Sequence, residues 1–342
     1  MRSNTPKAIS SNSAPIARVA DLCCGLGGLS LAARSLGMEV RAGVDINVHA
    51  LKTFAKNFPD AEAIPGSVRS LPLQDQCAEL LQGSGRTPIP KVVVSGPPCQ
   101  GFSVAGTRDP LDPRNQILNA VGRAVSRIQP DVALIENVSM VLTEQHDARL
   151  SRFEREIRKG DYHVARVLLN AADFGVCQRR KRAFFLVTRG KLDLGDFLNE
   201  LDKLKVPHRG AAVALCGLPS PHVRPDKYDD EAHYAGVSNH LAMQHSQRVK
   251  DKIAAIEPGK GPMSYRRLHP SRVSNTLISG HRAPPAHHIE PRSITVREAA
   301  RLQSFPDDFR IYGSFGNQME QVTNAVPPLL ARAVLSTLFR FI

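Results

Sequence analysis

The stretch RVADLCCGLGGLSLAARSLGMEVRAGVDI, residues 18–46, decides the fold. "RVADLCC" reads as a strand, "LSLAARSLG" as a helix closed by Gly37, and "EVRAGVDI" as a second strand. The alternation continues outward from there. "VHALKTFAKNF" is a helix ended before Pro59, and "AELLQG", the strand "KVVVSG", the helix "QILNAVGRAVSRI", the strand "DVALIENV" and the helix "ARLSRFEREIRKG" follow. Strands alternating with helices predict an α/β fold, a doubly wound parallel sheet covered on both faces. "HVARVLLNA" and "KRAFFLVTR" are separated only by a polar turn region, which suits an antiparallel pair finishing the sheet.

The character changes near residue 190, where Gly, Pro and His become frequent and periodicity fades. It returns in "NAVPPLLARAVLSTLFRFI", read as one helix with prolines in its first turn. The expected organisation is a disordered lead-in over 1–15, a catalytic and cofactor domain over 16–189 plus 319–342, and a smaller irregular lobe over 190–318. With 342 residues, the chain can bury a substantial core. No apolar run approaches the ~20 residues of a membrane span and no signal-peptide pattern opens the chain, so a soluble, cytoplasmic protein is expected. Six cysteines without C-x-x-C or zinc-finger spacing predict reduced thiols and no metal. The net charge of +13 points to a polyanion, and residues 246–310 concentrate it, with twelve Lys/Arg against six Asp/Glu.

Ligands of open α/β sheets bind beyond the carboxyl ends of the strands. Four features fall there: "DLCCGLGG", "VDIN", "SGPPCQGFS" and "ENV". The glycine loop lets a cofactor approach the backbone at a helix N-terminus, although Ser30 stands where a full dinucleotide fingerprint needs glycine. Asp45 is placed to accept from a ribose diol. Together they suit a nicotinamide dinucleotide or S-adenosylmethionine equally. Cys99 follows two prolines that preclude regular structure, so its thiol is expected on a loop above the sheet. Roughly a tenth of an unperturbed thiol is ionised at pH 7.5, and basic neighbours raise that fraction. Glu136 ends an apolar strand, where partial desolvation raises a carboxyl pKa toward neutrality. Arg179, Arg180, Lys181 and Arg182 open the next strand, and alternate residues share a strand face.

The ordered set "DLCCGLGG", "VDIN", "SGPPCQGFS", "ENV", "QRRKR", "TVREAARLQSFPDDF" and "QVTNAVPPLLA" resembles the DNA cytosine C5-methyltransferase family, of restriction-modification or orphan type, over residues 18–335. The resemblance implies an S-adenosylmethionine-dependent, Rossmann-like sheet with a target-recognition lobe. It implies that Cys99 attacks C6 of a flipped cytosine while Glu136 contacts N3 and the exocyclic amine. Arg182 holds the carbonyl oxygen and Arg180 supports the site and a nearby phosphate. It assigns the methionine end of the cofactor to the loop containing Asp21, Leu22, Cys23, Gly25, Gly27 and Gly28, and the ribose to Asp45. Leu29, Ile46, Ser67, Val68, Pro97, Asn324 and Val326 belong to the same pocket. Contacts to double-stranded DNA fall to Gln100, Ser103, Arg114 and Gln178, and in the lobe to Arg266, Arg267, Arg272 and Arg282. Arg297 and Arg301 brace the lobe, and a monomer is expected.

Three positions depart from the family pattern. Cys23 replaces an aromatic residue, Ser67 replaces an acid and Thr323 replaces a glycine. The first two fall on the adenine half of the pocket and predict weakened cofactor affinity, with the catalytic steps intact. Rival readings are an RNA cytosine methyltransferase and a nucleic-acid-binding homologue without turnover. A dehydrogenase leaves Cys99, Glu136 and the arginines without a role.

Overall fold

A computed structural model of the chain describes residues 14–83, 88–98, 116–224, 237–262, 265–278 and 284–342. The elements run β1 (Arg18–Leu22), α1 (Gly28–Ser35), β2 (Glu39–Asp45), α2 (Val48–Asn57), β3 (Glu62–Pro65), α3 (Leu71–Gln82), β4 (Lys91–Ser95), α4 (Ile117–Ile128), β5 (Val132–Val138), α5 (Asp147–Arg158), β6 (His163–Asn170) and β7 (Lys181–Thr188). Shorter elements follow: α6 (Leu194–Asp202), α7 (Ala211–Leu215), β8 (His222–Val223), β9 (Leu241–Ala242), α8 (Gln247–Ala254), α9 (Val296–Leu302), α10 (Phe315–Asn324) and α11 (Pro328–Leu338).

Seven strands form one sheet in the order β3-β2-β1-β4-β5-β7-β6. The first five are parallel, and β7 pairs antiparallel with β5. The doubly wound α/β sheet expected from the alternation is therefore present, with one refinement. β7 inserts between β5 and β6, so the later strand lies inside the earlier one. β1, β4 and β5 are buried along nearly their whole length, as strands covered on both faces must be. Side chains alternate between two layers. Ala42 and Val44 join the cluster built by α3, α4 and α5, whereas Gly43 between them lies under the Phe54 ring of α2. A Cβ at Gly43 falls inside the van der Waals envelope of that ring. Gly43→Ala is expected to cost about 1–3 kcal/mol by overpacking, read as a lowered denaturation midpoint.

By internal contacts the chain divides into two compact units. One holds the described residues up to 169, with 181–204 and 331–342, and the other holds 170–180 and 205–330. These boundaries differ from the expected ones. Residues 194–202 go with the sheet because Phe197 is buried and packs on Phe341 at 6.2 Å between ring centroids. Residues 319–330 go with the second unit. The single helix expected over 324–342 is also divided, since Asn324 ends α10 and α11 starts at Pro328. An 18-residue window within 315–341 has the composition of a membrane span, at a mean hydropathy of 1.3, but 67% of it is buried in protein. Of the expected lead-in over 1–15, residues 1–13 lie outside the described residues.

The second unit has little regular structure, and arginines replace strand ladders as its fasteners. Buried Arg297 donates to the carbonyls of Ser238 and Pro306 at 2.9 and 2.7 Å, and burial holds its pKa down to about 10. Arg301 pairs with Asp307 and reaches the Cys216 carbonyl at 2.8 Å. Arg292 grips Glu298, which closes a capping box on Thr295 at the start of α9. Such links satisfy main-chain carbonyls outside any strand ladder, and they leave no periodic trace in the sequence.

Candidate active site

The carboxyl ends of β1, β2, β4 and β5 lie side by side, and the expected residues of the first unit gather there. After β1 the chain takes positive φ at Cys23 (63°), Gly25 (54°) and Gly27 (100°). Gly27 is the N-cap of α1. A side chain at Gly27 would meet both an unfavourable backbone angle and the Phe58 ring, while nothing lies within 4 Å of a Cβ built on Gly25. The loop is thus tight at one glycine and open at the other.

Asp45 ties this loop to the end of β2. Its Oδ2 accepts from the Gly25 amide and its Oδ1 from the Asn47 amide, each at 2.8 Å. Burial raises its pKa, and the main-chain bonds partly offset the rise. Each carboxylate oxygen keeps a lone pair for a further donor. Ile46 and Val48, just beyond, are apolar yet 72% and 66% exposed. Ser67, after β3, is half-buried, and its Oγ accepts from the Arg69 amide at 3.3 Å. Leu22, Leu29 and Val68 bury their side chains in the core, so only their main chain is left for a ligand.

Asp21 is the least satisfied group of the set. Its Oδ2 accepts from Ser30 Oγ at 2.7 Å, and its buried Oδ1 has no hydrogen-bond partner among the described residues. Burial lifts its pKa to about 7, the Ser30 bond pulls it down and Asp45 adds to the rise. The linkage sign follows from 3.8 in the unfolded chain and about 7 in the folded one. Between those values the folded protein holds the extra proton, so stability falls as pH rises through the window and stays lower above it. The cost approaches about 4 kcal/mol at most. Asp21→Asn keeps the Ser30 contact and cannot ionise. Calorimetry without ligand is expected to show it gaining on the wild type in melting temperature between pH 5 and pH 8.

Between β4 and β5 the geometry tightens. Buried Ser95 donates to the Leu22 carbonyl, and Asn137 Nδ2 donates to the carbonyl of buried Pro97 at 3.4 Å. Pro97 and Pro98 open the segment that carries Cys99. Cys99 itself, with Gln100, Ser103 and Arg114, lies outside the described residues. Other thiols at these strand ends are poor nucleophiles, since burial pushes Cys23 and Cys24 far up. Burial also pushes Cys77 up to about 12 and raises Cys177.

Glu136 and Arg182 meet one residue pair away from Asn137. Val138 of β5 pairs with Arg182 of β7 and Glu136 with Phe184, which makes Glu136 and Arg182 diagonal neighbours on one face. Arg182 Nε stands 2.7 Å from Glu136 Oε1, with only 12% and 8% of the two side chains exposed. A carboxylate acceptor beside a guanidinium donor matches a planar ligand edge that carries N–H groups and a carbonyl.

The remaining expected residues lie in the second unit. Arg180 precedes β7 and is 1% exposed; its Nη2 donates to the carbonyls of Thr323 and Ala325. It clamps the main chain at the end of α10. Arg267, expected on DNA, donates to the carbonyls of His287, Ala254, Ile256 and Ile289 and so braces the lobe. Gln178 is fully buried, with neither amide atom hydrogen-bonded among the described residues. Arg266 and Arg272 are exposed, and Arg282 lies outside the described residues. Asn324 is exposed at the end of α10 and Val326 is buried. Among the described residues, no group of three or more His, Cys, Asp or Glu is placed to hold a metal ion.

The sheet defines the class as a doubly wound α/β protein, with an acid–arginine pair on two of its inner strands. Comparison narrows that class. The family model for C-5 cytosine-specific DNA methylases matches residues 17–340, and the chain belongs to that family. It is 31% identical over 337 residues to the Type II methyltransferase M1.HphI of Haemophilus parahaemolyticus, covering 94% of this chain and 86% of that one. It is 32% identical to the Type II methyltransferase M.XorII of Xanthomonas oryzae pv. oryzae, covering 92% and 82%. A solved E. coli prophage protein described as a DNA modification methyltransferase superposes with a TM-score of 0.78 at 29% identity, over 95% of this chain and 99% of that one. The Dnmt2 methyltransferase of S. pombe shares the fold at a TM-score of 0.64 and 16% identity, over 95% and 98%. The activity is that of a DNA (cytosine-5-)-methyltransferase.

Proposed function

We propose that the chain transfers a methyl group from S-adenosylmethionine to C5 of a cytosine turned out of duplex DNA, through a covalent bond between Cys99 and C6. The observation that carries this reading is the Glu136–Arg182 pair at 2.7 Å, one strand from the segment that leads into Cys99. Flipping is required because C6 is shielded inside a stacked duplex; it costs a few kcal/mol, which phosphate contacts offset.

In this reading Arg182 donates to the cytosine carbonyl oxygen while Glu136 accepts from the exocyclic amine and holds a proton at N3. Electron density withdrawn toward N3 makes C6 electrophilic. The Cys99 thiolate forms the S–C6 bond, and the displaced π electrons make C5 a nucleophile. After C5 has gained the methyl group, its proton leaves to a base. The electrons of that C–H bond re-form C5=C6 as the S–C6 bond breaks, and the thiolate is restored. This is nucleophilic catalysis in two easier steps.

S-adenosylmethionine, when bound, supplies an electrophilic methyl group and a cationic amino group. The residues here fit it: two carboxylates, an unpartnered buried Asp21 oxygen, an open position at Gly25 and exposed apolar Ile46 and Val48. Ser67 and Cys23 offer the adenine less than an acid and an aromatic ring do, so donor affinity is low for the family. The protein acts as a monomer on duplex DNA in the cytoplasm. The test is incubation with tritiated S-adenosylmethionine and unmethylated genomic DNA, then bisulfite sequencing. Label confined to cytosine in one short sequence context supports the reading. Label in transfer RNA alone, or none in any nucleic acid, overturns it.

A further inference from the structure

α5 carries more positive charge than its packing needs. Leu150, Phe153 and Ile157 bury its inner face in the core of the first unit. Its outer face holds arginines at a spacing of three: Arg152, Arg155 and Arg158 are all exposed, with Lys159 beside them. Residues three and four apart on a helix are neighbours, so like charges in that pattern repel. The repulsion is only partly relieved. Arg158 stands 3.4 Å from Glu154, which Arg166 holds more closely at 2.6 Å, and Lys159 pairs with Glu156 at 2.8 Å. Among the described residues, Arg152 and Arg155 have no acidic partner.

The stripe runs into a cleft of about 700 Å³ lined by Arg158, Tyr162, Arg189 and Lys191, with Asp161 as its one acid among the described residues. Arg189 is held in place there. Its guanidinium donates to Gln129 Oε1 at 2.7 Å and to the Gly160 carbonyl at 3.0 Å, and it lies 4.3 Å from the centre of the Tyr162 ring. Tyr162 is fixed in turn by donating to the Pro130 carbonyl. A charge positioned in this way loses little side-chain freedom when an anion docks. Lys191 is exposed and, among the described residues, has no acidic partner. Thr188, on the cleft wall, pairs with Val132 at the amino end of β5, whereas Arg182 pairs with Val138 at its carboxyl end. Six residues of strand separate the two, or about 20 Å. The cleft and the Glu136–Arg182 pair therefore lie at opposite ends of one strand pair.

A row of cations that extends about 10 Å along a helix and continues into a cleft fits a chain of phosphates better than a single anion. A lipid surface fits less well, because the large apolar side chains of α5 are buried and leave nothing to insert between acyl chains. We propose that this face of the first unit is a second nucleic-acid surface, which grips the phosphodiester backbone of duplex DNA away from the reacting base. Contacts of this kind hold the duplex and read no sequence. The occupant is a distant segment of the substrate duplex or a second duplex, since both offer the same chemistry.

The test is the triple variant Arg152→Gln, Arg155→Gln, Lys191→Gln in the full chain. All three side chains are exposed and without acidic partners among the described residues, so the thermal melt is expected to stay cooperative, with a midpoint at or above that of the wild type. Fluorescence anisotropy with a duplex of about 30 base pairs, read between about 50 and 200 mM salt, is expected to show the slope of log affinity on log salt lowered by about 2 to 3, the share of three phosphate contacts. Affinity at the lowest salt falls by about tenfold or more, while kcat at saturating DNA stays within about twofold. A slope and an affinity equal to those of the wild type overturn the proposal. So does a loss confined to transfer RNA, or to vesicles containing phosphatidylserine, each measured in parallel. A matching fall in kcat at saturating DNA also overturns it, since that places the residues at the reacting base. Should the triple variant not melt cooperatively, Lys191→Gln alone carries the measurement, with a slope lowered by about 1 expected and an unchanged one overturning the proposal. Sedimentation with short duplexes separates the two occupants. Two duplexes on the wild type and one on the variant identify a second duplex, and one on each, with the weakening kept for longer DNA, identifies a distant segment. The binding measurements need neither donor nor Cys99. A chain that transfers methyl groups but keeps its slope in the variant overturns this proposal alone, and one that transfers none but loses slope overturns only the reading above.

Discussion

Glu136→Gln is expected to lower turnover by about 10²- to 10⁴-fold, the range for loss of a proton-carrying group, while DNA affinity changes little. The substitution keeps the shape and one acceptor oxygen. It removes the charge that faces Arg182 Nε at 2.7 Å and the capacity to hold a proton at N3. The neutral amide also leaves a nearly buried guanidinium without its counter-ion, which lowers stability. Single-turnover rates separate the two effects, because a folding defect reduces the active fraction and a chemical defect slows every molecule. A rate within threefold of the wild type at full folding removes Glu136 from the chemistry.

Cys99→Ser is the larger effect, with methylation expected below detection. A serine hydroxyl is far less ionised near neutrality than the thiol it replaces, and no neighbouring thiol can stand in. Cys23 and Cys24, at the adjacent strand end, are held protonated by burial. Binding of duplex DNA is expected to persist, so that gel-shift affinity and loss of label part company. Wild-type protein incubated with donor and DNA containing 5-fluorocytosine is expected to form an adduct stable to denaturation, which Cys99→Ser fails to form. Persistence of the adduct in the variant assigns the bond to another residue.

The strands of the sheet were legible because β1, β4 and β5 are covered on both faces and so read as short unbroken apolar runs. β3 was not, since it is a four-residue edge strand carrying Glu62 and ending on Pro65, with one buried residue. α10 was missed for a similar reason, as Gly316, Asn317 and Gln318 obscure its period. At the site, Asp45 and Glu136 were readable from their places at strand ends. The different surroundings of Arg180 and Arg182 were not legible, because residues two apart share a face only inside a strand and β7 begins at Lys181. The bracing by Arg267 was not legible either, because its partners are carbonyl oxygens, which every residue has and no sequence pattern advertises.

Those arginine fasteners bear on how the net charge is understood. Of the twelve Lys/Arg between residues 246 and 310, four (Arg267, Arg292, Arg297 and Arg301) are committed to carbonyls or carboxylates of their own chain. A side chain so engaged displaces no counterion from a duplex, and each phosphate neutralised steepens the salt dependence of binding by only about 0.9 in logarithmic slope. Duplex binding by the chain is therefore expected to show a shallower dependence of log affinity on log salt than twelve free cations in this region would give, measured by titrating DNA affinity between about 50 and 200 mM salt.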